Sequence, residues 1–256
     1  SKALGLGVPD PDHPDRLLAV DDRRLDPLFA AAGRLGLPVF IHTGDPKAFF
    51  EPMGPQNERM AELGVHPEWS FADHRYPRRE TLLAQRDRLL ARHRGTTFIG
   101  VHFANNPEDL AYVERTLDAH PNLYVDLAAR VPEIGRHPPA QVRRLFIKHQ
   151  DRILFGTDLG VTGGLMLGSV GRNRPGLPDL FLYYFDQFRW LETDQRGLPT
   201  PTPIQGAWRI DGARIPPEVL EKVYTTNALK LLWKQDTPDE RDAAAIEAAP
   251  GMVAFF

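Results

Sequence analysis

Three short apolar runs in this 256-residue chain each end in a side chain able to bind a metal or move a proton. Leu37-Pro38-Val39-Phe40-Ile41 ends in His42, Thr97-Phe98-Ile99-Gly100-Val101 in His102, and Ile153-Leu154-Phe155-Gly156-Thr157 in Asp158. Turn formers follow each of them: Gly44-Asp45-Pro46, Asn105-Asn106-Pro107 and Gly160. An apolar, β-branched run stopped in this way reads as a buried parallel strand that delivers a polar group at its C-terminal end. Neutral imidazoles suit zinc, and an added carboxylate admits manganese or iron. A divalent cation in such a set lowers the pKa of a bound water to about 7. An aspartate touching both can accept the proton, and a nearby histidine can polarise a carbonyl.

The composition removes several alternatives. Hydrophobic residues make up 42% and charged residues 25%, ordinary for a globular domain. A net charge of -3 and a pI near 6.3 leave no basic footprint for nucleic acid. No apolar run approaches the ~18 to 20 residues of a membrane span. Cysteine is absent, so nine histidines and the carboxylates are the strong metal ligands on offer. The 24 prolines sit among aromatics and aliphatics, which points to stiffened loops. A small-molecule substrate and a homo-oligomer are the expected partners, in the cytoplasm. A leader peptide is not legible, because the true N-terminus is expected upstream of Ser1.

The elements that must hold these residues alternate between helix and strand. Ser1–Val8 reads as a strand remnant before a Pro/Asp-rich loop. Asp26 as N-cap, Pro27 as N1 and Gly36 as stop frame a first helix directly before the His42 strand. A helix at 78–93, with leucines on one face, leads to strand 96–102. Asn106 as cap and Pro107 open a third helix, ahead of strand 122–127. A fourth, at 139–150, precedes strand 152–157, and a last helix runs from Pro216 to about Lys234. Helix-to-strand turns are short, whereas the strand-to-helix segments 43–77 and 158–216 are long. The long loops thus all lie at the carboxyl ends of the strands, where ligands bind in parallel α/β folds. With no repeat or linker visible, residues 1–256 are read as one domain.

The runs 37–45, 97–106, 122–130 and 153–159, with the closing Val223-Tyr224-Thr225-Thr226-Asn227-Ala228-Leu229-Lys230-Leu231-Leu232, resemble the metal-dependent amidohydrolase superfamily. The likeness is to its amidohydrolase-related branch, which includes the aminocarboxymuconate-semialdehyde decarboxylase type. It implies a (β/α)8 TIM barrel, of which this chain carries the end of strand four through strand eight. By resemblance His42 is a metal ligand, His102 binds a second metal or works as acid and base, and Asp158 ligates and takes the water's proton. The family's His-x-His on strand one has no counterpart here. A lone strand-end histidine is more often structural, but three ends in one register, with the resemblance, reverse that. The implied activity is metal-dependent hydrolysis of an amide, ester or lactone, with zinc first and manganese or iron as alternatives. The runner-up is non-oxidative decarboxylation; the third reading is a barrel fragment without a complete ligand set.

Other residues carry weaker expectations. Arg130 could clamp a substrate carboxylate bidentately, against a surface ion pair as the plainer account. Asp126 could support the site or bond to backbone nearby. Arg172, Arg174 and Lys2 could reach the mouth, and Trp69, His74 and Tyr76 could line the pocket or pack the long loop onto itself. His13, His66, His93, His120, His137 and His149 read as solvated, and the aromatic stripe of 179–191 as lid or core packing. A four-to-five-stranded piece is expected to be an open half-barrel with its inner face uncovered.

Overall fold

The apolar runs form a single parallel sheet. In the computed structural model, which describes residues 3–44, 46–161, 163–169, 171 and 174–234, β1 (Val39–Ile41), β2 (Phe98–Gly100), β3 (Leu123–Asp126) and β4 (Ile153–Leu154) lie in chain order. All three pairings are parallel, and Ile41, Gly100, Val125 and Ile153 stand in one row. Sequential parallel strands with a helix between each pair are a TIM-barrel type of winding, built here as a partial barrel.

Helices α1 (Asp26–Arg34), α2 (Arg79–Arg92), α3 (Leu110–Ala119) and α4 (Pro139–Lys148) follow the amphipathic stripes read from the sequence. Leu82, Leu89, Val113 and Leu145 from these stripes share one core with Phe98, Leu123 and Ile153 of the sheet. Two helix starts differ from expectation. The turn Arg23–Leu25 runs into α1 and is capped by Asp22, which leaves Asp26 to accept from Arg92 and His93. Asp109 rather than Asn106 caps α3, because Asn105 and Asn106 are bound into the turn before it. Ala3–Val8 is no strand: the amides of Leu6, Gly7 and Val8 all donate to the Ala3 carbonyl, closing the segment into a turn.

The long segments are structured. Residues 43–77 hold three short helical turns, and the aromatics pack on one another: His66 stacks on Trp69 at 3.9 Å and Phe71 meets Tyr76 edge-on. The self-packing account of this loop thus holds for Trp69 and Tyr76, whereas the His74 side chain is 99% exposed. After β4 come the antiparallel hairpin β5 (Leu159–Val161) and β6 (Leu165–Leu167) and helix α5 (Leu177–Glu192). The aromatic stripe of α5 divides. Tyr183 and Trp190 are buried, Phe188 stacks on Phe155, and Phe181 and Phe185 are exposed.

Helix α6 (Pro217–Glu221) continues through wide turns to Trp233 and covers part of the inner face that was expected to be open. The carbonyls of Arg152 and Leu154 face β3, so Ile153 and Phe155 turn their backbone groups to the other edge of β4. There the Phe155 amide donates to the Val223 carbonyl, and Asn227 Nδ2 donates to the Ile153 carbonyl. Leu231 and Ala228 then cover Ile99, Leu154 and Tyr124 on the inner face. An uncovered apolar face and an unpaired strand edge are both unfavourable, and one segment relieves both. The β1 side stays more open, with Phe40 53% exposed. Among the described residues no helix is long and apolar enough to cross a membrane. Lys2, Arg172 and the segment 235–256 lie outside the described residues.

Candidate active site

Each strand that should deliver a functional group ends in a sharp reversal. His102, Phe103, Ala104 and Asn105 follow β2 as four consecutive left-handed residues, with φ from 53 to 56°. Ala129 after β3 and Asp158 after β4 also have positive φ. A left-handed turn of non-glycine residues costs roughly 1–2 kcal/mol per residue, so the surroundings must hold it. Two buried arginines of α2 do so. Arg86, fully buried, donates to the Ala104 carbonyl, and Arg79 donates to the Asn105 carbonyl at 2.8 Å. Asn105 Oδ1 in turn accepts from the Thr43 amide at 2.8 Å, which ties the turn to the residue after His42. The leucine stripe read from the sequence leaves these arginines off the apolar face, and no local signal marks them as buried.

The turn aims His102 inward. Its ring lies 4.6 Å from that of His42, centroid to centroid and edge-on. Its Nδ1 is 2.7 Å from the Ala128 carbonyl, which accepts and therefore fixes the proton on Nδ1. The lone pair is then on Nε2, so a neutral His102 ligates or accepts a proton there. Asp126 backs this arrangement: its Oδ1 accepts from the His102 amide at 2.8 Å and from the Ala128 amide at 3.2 Å. Burial pushes the Asp126 carboxyl up to about 6 against these two amides, and the charge of Asp158 adds to the rise. Of the two expectations for Asp126, backbone hydrogen bonding is thus what the structure displays.

Arg130 is not on the surface. It is 5% exposed, donates to the Ala129 carbonyl at 2.8 Å, and its charge bears on Asp126, Glu133 and Tyr183. Asp158 is half-buried and acts electrostatically on Asp126 and Tyr183. His42, His102, Arg130 and Asp158 thus all follow carboxyl ends of the sheet. The ligand atoms of His42, His102 and Asp158 do not all come within 4.8 Å of one another.

Among the described residues one trio does meet that distance, Glu114, Asp118 and His149, at the opposite end of the sheet. A cation is already there. Lys148 Nζ lies 2.9 Å from Glu114 and 2.7 Å from Asp118. Arg152 donates to His149 Nδ1 at 2.9 Å, which places the ring proton on Nε2 and turns N–H rather than a lone pair toward the carboxylates. His149 is 4% exposed, not solvated as the sequence suggested. Burial, and then the Arg152 charge, lowers its pKa from 6.5. A histidine depressed in the fold contributes stability above its unfolded value and loses it as pH falls through the folded value. Urea unfolding should therefore show stability falling below pH 6.5, with a shallower fall in His149→Gln. Parallel curves for the two proteins would refute the assignment.

Comparison with known proteins then adds the lineage. The sequence profile of the family described as Amidohydrolase matches residues 2–233. No curated protein matches the chain. Similar solved structures include an uncharacterised TIM-barrel protein from Bordetella bronchiseptica, at 20% identity and TM-score 0.43, covering 85% of this chain and 53% of that one. They also include 4-oxalomesaconate hydratase from Rhodopseudomonas palustris, at 15% and 0.39, covering 92% and 56%. A third is 2,6-dihydroxybenzoate decarboxylase complexed with 2,6-dihydroxybenzoate, at 19% and 0.33, covering 59% and 48%. The chain spans about half the length of these structures.

Proposed function

Since the chain belongs to the amidohydrolase family, we propose that it is, or is the greater part of the catalytic mouth of, a metal-dependent hydrolase of small-molecule amides, esters or lactones. The observation that carries the reading is the edge-on pair of His42 and His102, with His102 Nδ1 committed to the Ala128 carbonyl. A ring nitrogen bound to a backbone carbonyl is the support that metal-ligating histidines ordinarily have. His42 and His102 would hold the cation, with Asp158 brought in from β4, and the family generally uses divalent metals. Zinc suits the two imidazoles best, and Asp158 admits manganese or iron. When bound, the cation supplies Lewis acidity that makes water nucleophilic at neutral pH.

The chain's own groups divide the remaining work. Asp158 takes the proton of the attacking water on a carboxylate oxygen. Asp126 holds the His102 amide, and so the left-handed turn, in place. Arg130, on the residue after β3's own reversal, orients an anionic substrate group through its guanidinium fork. Arg130→Lys keeps the charge and loses the fork, so KM should rise while the metal content stays the same.

The test is to screen amide, ester and lactone libraries with the purified chain before and after chelation and zinc return. Chelation should abolish turnover and zinc should restore it, with one water taken up per product. Release of CO2 instead would transfer the site to the decarboxylase reading. Turnover indifferent to chelation would overturn both.

A further inference from the structure

A cavity among the described residues lies beside the strand-end groups, not on them. It has a volume of about 590 Å³ and sits between β6, the first turns of α5 and the segment 199–204. That is within the range of small-molecule sites. Leu167, Leu182 and Ile204 give it apolar walls, and Tyr183 forms the side nearest β4. The Tyr183 hydroxyl donates to the Thr157 carbonyl, one residue before Asp158, so the cavity ends against the proposed catalytic mouth.

One helix face supplies its charge. Asp179, Leu182, Tyr183 and Asp186 stand at i, i+3, i+4 and i+7 on α5, and all line the space. The Asp179 carboxylate is bound to the Gly176 amide at 2.7 Å. Asp186 is different. Its ion-pair partner, Arg189, is 4.0 Å away and places its own Nε on Gln195 at 2.6 Å. The Asp186 side chain is nevertheless 22% exposed, so it carries a desolvation cost that no closer cation among the described residues offsets. Burial accordingly raises its pKa, against the pull of the Arg189 charge. Arg174 lines the cavity too, from its exposed rim.

We propose that this cavity binds the apolar body of an amine-bearing ligand, with the ammonium facing Asp186. Resting on the hydrolase reading, this ligand is the non-reacting part of the substrate, and the bond to be cleaved points past Tyr183 toward Asp158. The substrate class is then a basic amide or ester with an aryl or alkyl body.

Direct binding tests this without any turnover. Calorimetric titration at pH 7 would compare 4-phenylbutylamine with 4-phenylbutanol and 4-phenylbutanoate, which share one apolar body. The amine should bind about tenfold tighter than either. Asp186→Asn should bring the three to within a factor of about two. Leu182→Trp, at an exposed position on the wall, should block all three. Equal binding of the three probes, tighter binding of the carboxylate at Arg174, or unchanged binding in Leu182→Trp would each overturn the proposal. Those results would leave the chelation test standing, and a failed chelation test would leave a measured amine preference standing.

Discussion

Replacing His102 by alanine should abolish turnover, by about 10³-fold or more, while the chain remains folded. The residue is 8% exposed with Nδ1 bound to the Ala128 carbonyl, so some stability goes with the ring, but the apolar core of the sheet is built from other residues. What goes is Nε2, the nitrogen that the Ala128 carbonyl leaves with its lone pair. Zinc content, measured by plasma emission spectrometry, should fall with the rate. His42→Ala should do the same, and the double variant should be no worse than either single one, because groups acting on one ion are not additive. Full metal content with full activity in His102→Ala would remove it from the site. A large loss of unfolding free energy would reassign it to holding the left-handed turn.

The largest stability effect is expected at Arg59. This arginine, 1% exposed, pairs with Glu62 at 2.8 Å and with Glu133, while Ser169 donates its hydroxyl to the other Glu62 oxygen. The network joins the segment after β1, the turn after β3 and the loop after β6, the three connections that surround the strand ends. Glu133 is fully buried, and burial pushes its pKa up against the charges of Arg59 and Arg130. Removing the arginine leaves two carboxylates buried without their cation, a loss of about 3–5 kcal/mol. Arg59→Ala should show this in urea unfolding at pH 7. The double variant Arg59→Met, Glu133→Leu should recover much of the loss, because two apolar side chains need no partner in the same space. A loss below about 1 kcal/mol in Arg59→Ala would mean that the loops are held otherwise.

The order of strands and helices was legible in the sequence because each element carries its own punctuation. Pro27 and Gly36, the leucine stripe of α2, and runs such as Leu123–Asp126 are local signals, and the parallel sheet follows from them. The strand-end positions of His42, His102 and Asp158 were legible for the same reason, since period and turn chemistry place a residue at the end of a strand. The edge-on approach of His102 to His42 was not. It depends on four left-handed residues after β2; His102 and Asn105 tolerate that conformation, but nothing local favours it at Phe103 and Ala104.

Tertiary structure decided whatever depends on partners distant in the chain. Charge alone says nothing about burial, yet Arg79, Arg86 and Arg59 are buried, with partners 26, 18 and 74 residues away. His149 and Arg130 are buried for the same reason. The inner face of the sheet was decided in the same way. Amphipathic spacing marks the last helix as apolar on one side, but not which surface that side will meet. With Ile153 and Phe155 turning their backbone groups to an edge that no described strand pairs, Val223 and Asn227 were the groups within reach, and Leu231 followed them onto Ile99 and Leu154. Local sequence determines what an element is, and the satisfaction of buried polar groups and apolar faces determines where it goes.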